Sequence, residues 1–217
     1  MGTSATPLSF SGRIAAAKPR IGLHRSFDQV WHSYRGYVLV LEDGARIAVG
    51  PAAHEKHRFR IGDVVEGRAE PLPDPRTECA DLYKVRGLRL LERGPASEER
   101  PADPDGGVAP PLAEYRARGH RRLDPRTYDR SCRRCPFGAV MATEIVLDQW
   151  NPDRRRWRRE THCYGPRDCP RYRAGRPRSV PGRKAGMVYV DDDVEREAQD
   201  AHWPAPGPGQ GAERPPS

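Results

Sequence analysis

The sequence predicts a mainly β protein: a small five-stranded barrel over residues 8–93, then a basic, cysteine-held β-hairpin module over residues 112–186. Three observations carry this. Apolar and β-branched runs separated by turn signals recur through residues 8–93. Four cysteines stand in two pairs, Cys132/Cys135 and Cys163/Cys169. Between the modules, residues 94–111 are Pro, Gly, Ala and acid, a linker with almost nothing to bury. Residues 187–217 read as an acidic, Pro/Gly-rich tail, disordered from Ala205 onward.

Each element has its own signal. Leu8–Ala17 is an apolar first strand. Tyr34–Gly50 reads as a hairpin turning at Asp43-Gly44, a pair suited to positive φ. Pro51–Phe59 reads as a short helix with proline in its first turn, where the missing N–H costs nothing. Ile61–Leu72 and Leu82–Arg93 complete five strands. In the second module, residues 112–130 begin as a helix that ends before Asp124-Pro125. Gly138–Trp150 is a strand, Asn151-Pro152-Asp153 a turn and Arg154–His162 the returning strand.

The cysteine pairs carry the strongest chemical signal. Thiolates are strong zinc ligands and zinc prefers four in a tetrahedron. Cys132-x2-Cys135 supplies two on one tight turn, and Cys163-x5-Cys169 can close the site from the returning strand. A closed four-thiolate set is a structural site, which places catalysis elsewhere. An iron–sulfur cluster also uses four cysteines, and His162 stands ready to replace a thiolate. Cys79 has no partner pattern and reads as a buried or incidental thiol.

Charge is distributed unevenly. The chain carries 38 basic and 30 acidic residues. Residues 112–186 alone are net +12, whereas residues 187–217 are net −5. Arginine outnumbers lysine 34 to 4, a bias that GC-rich coding also produces, so position matters more than number. Arg133 and Arg134 lie inside the first cysteine pair. Arg154, Arg155, Arg156, Arg158 and Arg159 flank Trp157, and Arg171 and Arg173 flank Tyr172. Guanidinium forks bind phosphate and aromatic rings stack on bases, so these eleven residues form the candidate nucleic-acid surface. The acidic run Asp191, Asp192, Asp193, Glu195 and Glu197 could fold back onto it.

The barrel offers a second candidate surface in Lys18, Arg20, His24, Arg25, Phe27, Trp31, Tyr34 and Tyr37, although Trp31 and Tyr37 read more readily as core. His54 and His57 are three apart, the wrong spacing for a metalloprotease helix, and read as surface residues.

Strand, hairpin, short helix and two more strands is the element order of the OB-fold, and residues 8–93 resemble that barrel. CRRC and CYGPRDC resemble a zinc ribbon. Proteins joining these modules are common in nucleic-acid machinery, so the resemblance implies a non-catalytic protein that binds RNA or single-stranded DNA. A second group with the same modules partners acyl-CoA-linked enzymes, but there the ribbon typically precedes the barrel.

No dinucleotide fingerprint, phosphate loop, nucleophile elbow or paired-carboxylate signature occurs, which lowers the odds of an enzyme. The alternatives are a protein–protein adaptor docking through the ribbon and a small-ligand enzyme subunit. No run of about 18 apolar residues exists, so no membrane span is expected. Five cysteines without a secretory signal fit a reducing cytoplasm.

Overall fold

The computed structural model describes residues 6–95, 108–148, 150–151 and 153–190. Ten strands, β1 to β10, are named there. Strand β1, Leu8–Arg25, organises the molecule. It is long enough to serve three neighbours: antiparallel β4 (Val64–Pro71) along Leu8–Arg13, antiparallel β2 (Val30–Leu41) along Ile14–Arg25, and parallel β7 (Gly138–Val146) along Gly22–Arg25.

Strands β3 (Arg46–Val49) and β5 (Leu82–Glu92) complete a five-strand ring in the order β1-β2-β3-β5-β4, closed where β4 returns to β1. Beyond β1 the same sheet continues through β7, β8 (Arg155–Cys163) and β6 (Arg121–Arg122). One eight-stranded mixed sheet therefore spans both predicted modules.

Local chemistry explains the ring's elements. Gly44, with φ of 92°, turns the β2–β3 hairpin, and Asp43 accepts the amide of Ala45. Gly36 is needed where β2 crosses β3, because a Cβ there would sit 2.2 Å from the Val49 carbonyl oxygen. Helix α1, Pro51–His57, opens on its proline as expected. Inside the ring, Ile14, Leu39, Ile47, Phe59 and Val65 are sealed from solvent.

Several expectations need correction. The first strand does not stop at Ala17. It runs through Pro19, which pairs with Tyr37 of β2, to Arg25; on its other side β1 has there left β4 and not yet met β7. His54 is buried on α1: its ring packs 3.9 Å from Tyr37 and its Nε2 lies 2.9 Å from the Ala109 carbonyl. Tyr37 is core as expected, but Trp31 is half exposed. Beyond the large sheet, β9 (Ser179–Pro181) pairs with β10 (Val188–Val190) as a separate hairpin.

Helix α2 is Leu112–Arg118, and the described end of the linker packs in, with Tyr37 donating to the Pro110 carbonyl. The acidic residues Asp191 to Glu197 and the tail from Ala205 lie outside the described residues. No described helix is long and apolar enough to cross a membrane.

Candidate functional site

The four cysteines of the two pairs line one cavity of about 170 Å³. Asp124 starts the approach by accepting the amide of Thr127, capping the helical turn Pro125–Thr127. A wider π-type turn, Tyr128–Cys132, then delivers Cys132. Gly138 begins β7 against that turn, where a Cβ would lie 2.8 Å from the Cys132 carbonyl oxygen. Its register partner is Cys163, the last residue of β8. The hairpin ladder thus carries the second pair back to the first.

The cavity's chemistry favours anionic sulfur once a cation is present. The Gly165 amide donates to the Cys163 sulfur at 3.3 Å, and the Gly138 amide donates to the Cys135 carbonyl at 3.1 Å. Burial, followed by the neighbouring Cys135 and Cys163 sulfurs, pushes the Cys132 thiol up to about 11. Burial also raises Cys135. The bare Cys132 and Cys135 thiols stay protonated, and a divalent cation would reverse that preference. Among the described residues no three Cys, His, Asp or Glu side chains already stand in metal-binding geometry. The donor set fits a thiophilic ion, but closing the four sulfurs around it requires movement.

Lys18 is the residue the sequence concealed. Expected on a barrel surface, it is 5% exposed. Its ammonium donates to the carbonyls of Cys132, Cys135 and Gly138 at 2.7, 2.6 and 2.8 Å. Desolvation lowers its pKa to about 8, against the raising influence of Cys135, Cys132 and Cys163. One cation from the ring thus holds the cysteine turn of the extension.

His162 faces away from the cysteine cavity. Adjacent residues on a strand point to opposite faces, so Cys163 lines the cavity while His162 joins Glu160 in a buried polar cluster. His120 bridges His32 and His162, with ring centroids 4.4 and 4.9 Å apart. Arg122 donates to Glu160 at 2.8 Å, and Arg25 and Arg158 also pair with that carboxylate. Burial raises the Glu160 pKa, but His162, Arg25, Arg122 and Arg158 outweigh it and hold the group below its usual range.

The candidate arginines are divided. The period-two rule separates Arg156 and Arg158 from Arg155, Trp157 and Arg159 on the two faces of β8. Arg154 pairs with Asp148, Arg155 with Glu144 and Arg133 with Asp129. Arg134, Arg156 and Arg171 are exposed, and Arg173 donates to the Pro170 and Tyr172 carbonyls. Tyr172 is engaged on one ring face by Arg121 at 4.1 Å, and its hydroxyl donates to the Arg122 carbonyl.

A groove of about 100 Å³ gathers Arg122, Arg159, Arg176 and Arg178 with a single carboxylate residue, Glu160. It adjoins the cysteine cavity through the shared wall residue Leu123. Cys79 is half-buried as expected, its thiol pushed up to about 11 by burial.

Compared with protein-family models, curated proteins and solved structures, the chain has no significant match in any of the three.

Proposed function

We propose that the protein is a non-catalytic nucleic-acid-binding protein that takes single-stranded RNA or DNA. In this reading the five-strand ring is an OB-like barrel, and the β7–β8 hairpin with its cysteine turns is a zinc ribbon. Cys132, Cys135, Cys163 and Cys169 hold a structural zinc ion that orders the hairpin ends. The ring order β1-β2-β3-β5-β4 supports the first assignment, and the shared cavity and the Gly165 N–H···S bond to Cys163 support the second.

The observation that carries the function is the basic groove beside that cavity. Arg159, Arg176 and Arg178 line it with Arg122, and the segment that builds it holds most of the chain's positive excess. Guanidinium groups so arranged track phosphates without reading sequence.

Fluorescence anisotropy with labelled single strands across a salt series tests this. The affinity should fall steeply with salt as counterions are released. Replacing Arg176 and Arg178 together by Ala should weaken binding and flatten the slope by roughly one to two units. A shallow salt dependence, or a double variant that binds like the parent, would remove the reading.

A further inference from the structure

The parallel β1–β7 pairing makes a surface that neither module has alone. Its register aligns four residues in one row across four strands: Trp31 on β2, His24 on β1, Glu144 on β7 and Trp157 on β8. Residues directly opposite in a sheet share a face. The contacts agree. Trp31 stacks on His24 with centroids 4.9 Å apart, His24 Nδ1 lies 3.3 Å from a Glu144 carboxylate oxygen, and Arg155 pairs with Glu144 from beside Trp157.

The two tryptophans stand at the ends of the row, three strand spacings or about 14 Å apart. The Trp31 ring is backed by His24 and is still 50% exposed.

The charges on this face favour an anion. Its two carboxylates are already engaged: Glu144 by Arg155 and His24, and Glu78 by Arg20 and Arg35. Arg159 lies on the same face as Trp157 and leads into the basic groove. The next row, Ser33, Gly22 and Ala142 across β2, β1 and β7, is covered by the Arg35 guanidinium and the segment Thr77–Cys79.

Resting on the nucleic-acid reading above, we infer that this four-strand face is the base-stacking platform, with Trp31 and Trp157 each taking one unpaired base while the groove takes the phosphates. An open aromatic face can accept a base only when that base is splayed out of a helix. The occupant is therefore a single strand.

The test uses the full metal-loaded chain with single-stranded RNA, single-stranded DNA and the matching duplexes, read by anisotropy and tryptophan quenching. Trp31→Ala should weaken single-strand binding roughly tenfold and leave the salt slope unchanged, since it removes a ring and no charge. Trp31→Phe should restore most of the affinity. Trp157→Ala should act in the same direction, and duplex binding should not respond to either.

Comparing the RNA and DNA arms identifies which sugar the platform accepts. Single-strand affinity unchanged in Trp31→Ala, while the Arg176/Arg178 variant loses binding, would overturn the platform and leave the nucleic-acid reading standing. Failure of the parent protein to bind any strand would overturn both.

Discussion

The ring and the extension bury different things. The ring encloses Ile14, Leu39, Leu41, Ile47, Phe59 and Val65, an interior whose stability comes from removing apolar surface from water. The extension meets the same core with Tyr115, Phe137, Met141 and Tyr164, but its buried charges face one another: Glu160 pairs with the buried Arg122 and Arg25, whereas the ring's buried Asp63 and Glu70 pair with the exposed Arg93 and Lys84. It also brings Cys132, Cys135 and Cys163 into the interior and takes a buried Lys18 from the ring. A short, three-stranded addition cannot close a large apolar core by itself, so it depends on charge pairing and on its cysteines. The lesson is that the ring should tolerate losing the extension better than the extension tolerates losing any of its polar ties.

The largest break in that asymmetry is the cysteine site. In the zinc reading, Cys132→Ser or chelation should unfold the extension, because structural zinc contributes about 10 kcal/mol or more of folding free energy. Hydrogen exchange should show β7 and β8 amides losing protection while β2–β5 amides keep theirs, with metal content followed by native mass spectrometry. Retained metal and unchanged β7–β8 protection in Cys132→Ser would refute the structural site.

Lys18→Met comes next. It removes three ammonium-to-carbonyl bonds and leaves three buried carbonyls without that donor. Bonds to charged groups are worth about 1.5–3 kcal/mol each, so a loss of about 5 kcal/mol is expected, concentrated in the cysteine turn. Denaturant unfolding measures it. A loss under about 1 kcal/mol would mean that Lys18 is incidental to the join.

Much of the ring was legible because its signals are local. Apolar runs mark β2 and β4, Asp43-Gly44 marks the hairpin turn and Pro51 marks the start of α1. The cysteine pairing was legible from spacing. The β8 arginines could have been divided by the period-two rule alone, which places Arg155 and Arg158 on opposite faces.

What was not legible is the contact between modules. The β1–β7 register joins residues about 120 positions apart, and no local pattern specifies it. The burial of Lys18, the alignment of Trp31 with Trp157 and the enclosure of His120 all depend on that join. His54 was missed for a related reason: its partner Ala109 lies at the far end of the linker, 55 residues away.

The smallest effect, and the one that sharpens the comparison most finely, is acid sensitivity. Burial, followed by His162, His32, Arg25 and Arg122, holds the His120 pKa well below its ordinary value of 6.5. The unfolded chain therefore binds a proton near pH 6.5 that the folded chain refuses until much lower pH. The unfolded state binds more protons in that window, so stability is full above pH 6.5 and falls as pH drops below it. One such histidine costs about 1.4 kcal/mol per pH unit.

His54 in the ring is also lowered, chiefly by burial, but the Ala109 carbonyl opposes the shift. The extension should therefore soften first. Denaturant unfolding at pH 7.5, 6.5 and 5.5, resolved by hydrogen exchange on β8 and on β4, measures the difference. His120→Gln should flatten the β8 slope without altering the β4 slope, and it separates this effect from acid competition for the cysteine sulfurs. Equal slopes for β8 and β4, untouched by His120→Gln, would show that the polar interior of the extension titrates no more easily than the ring.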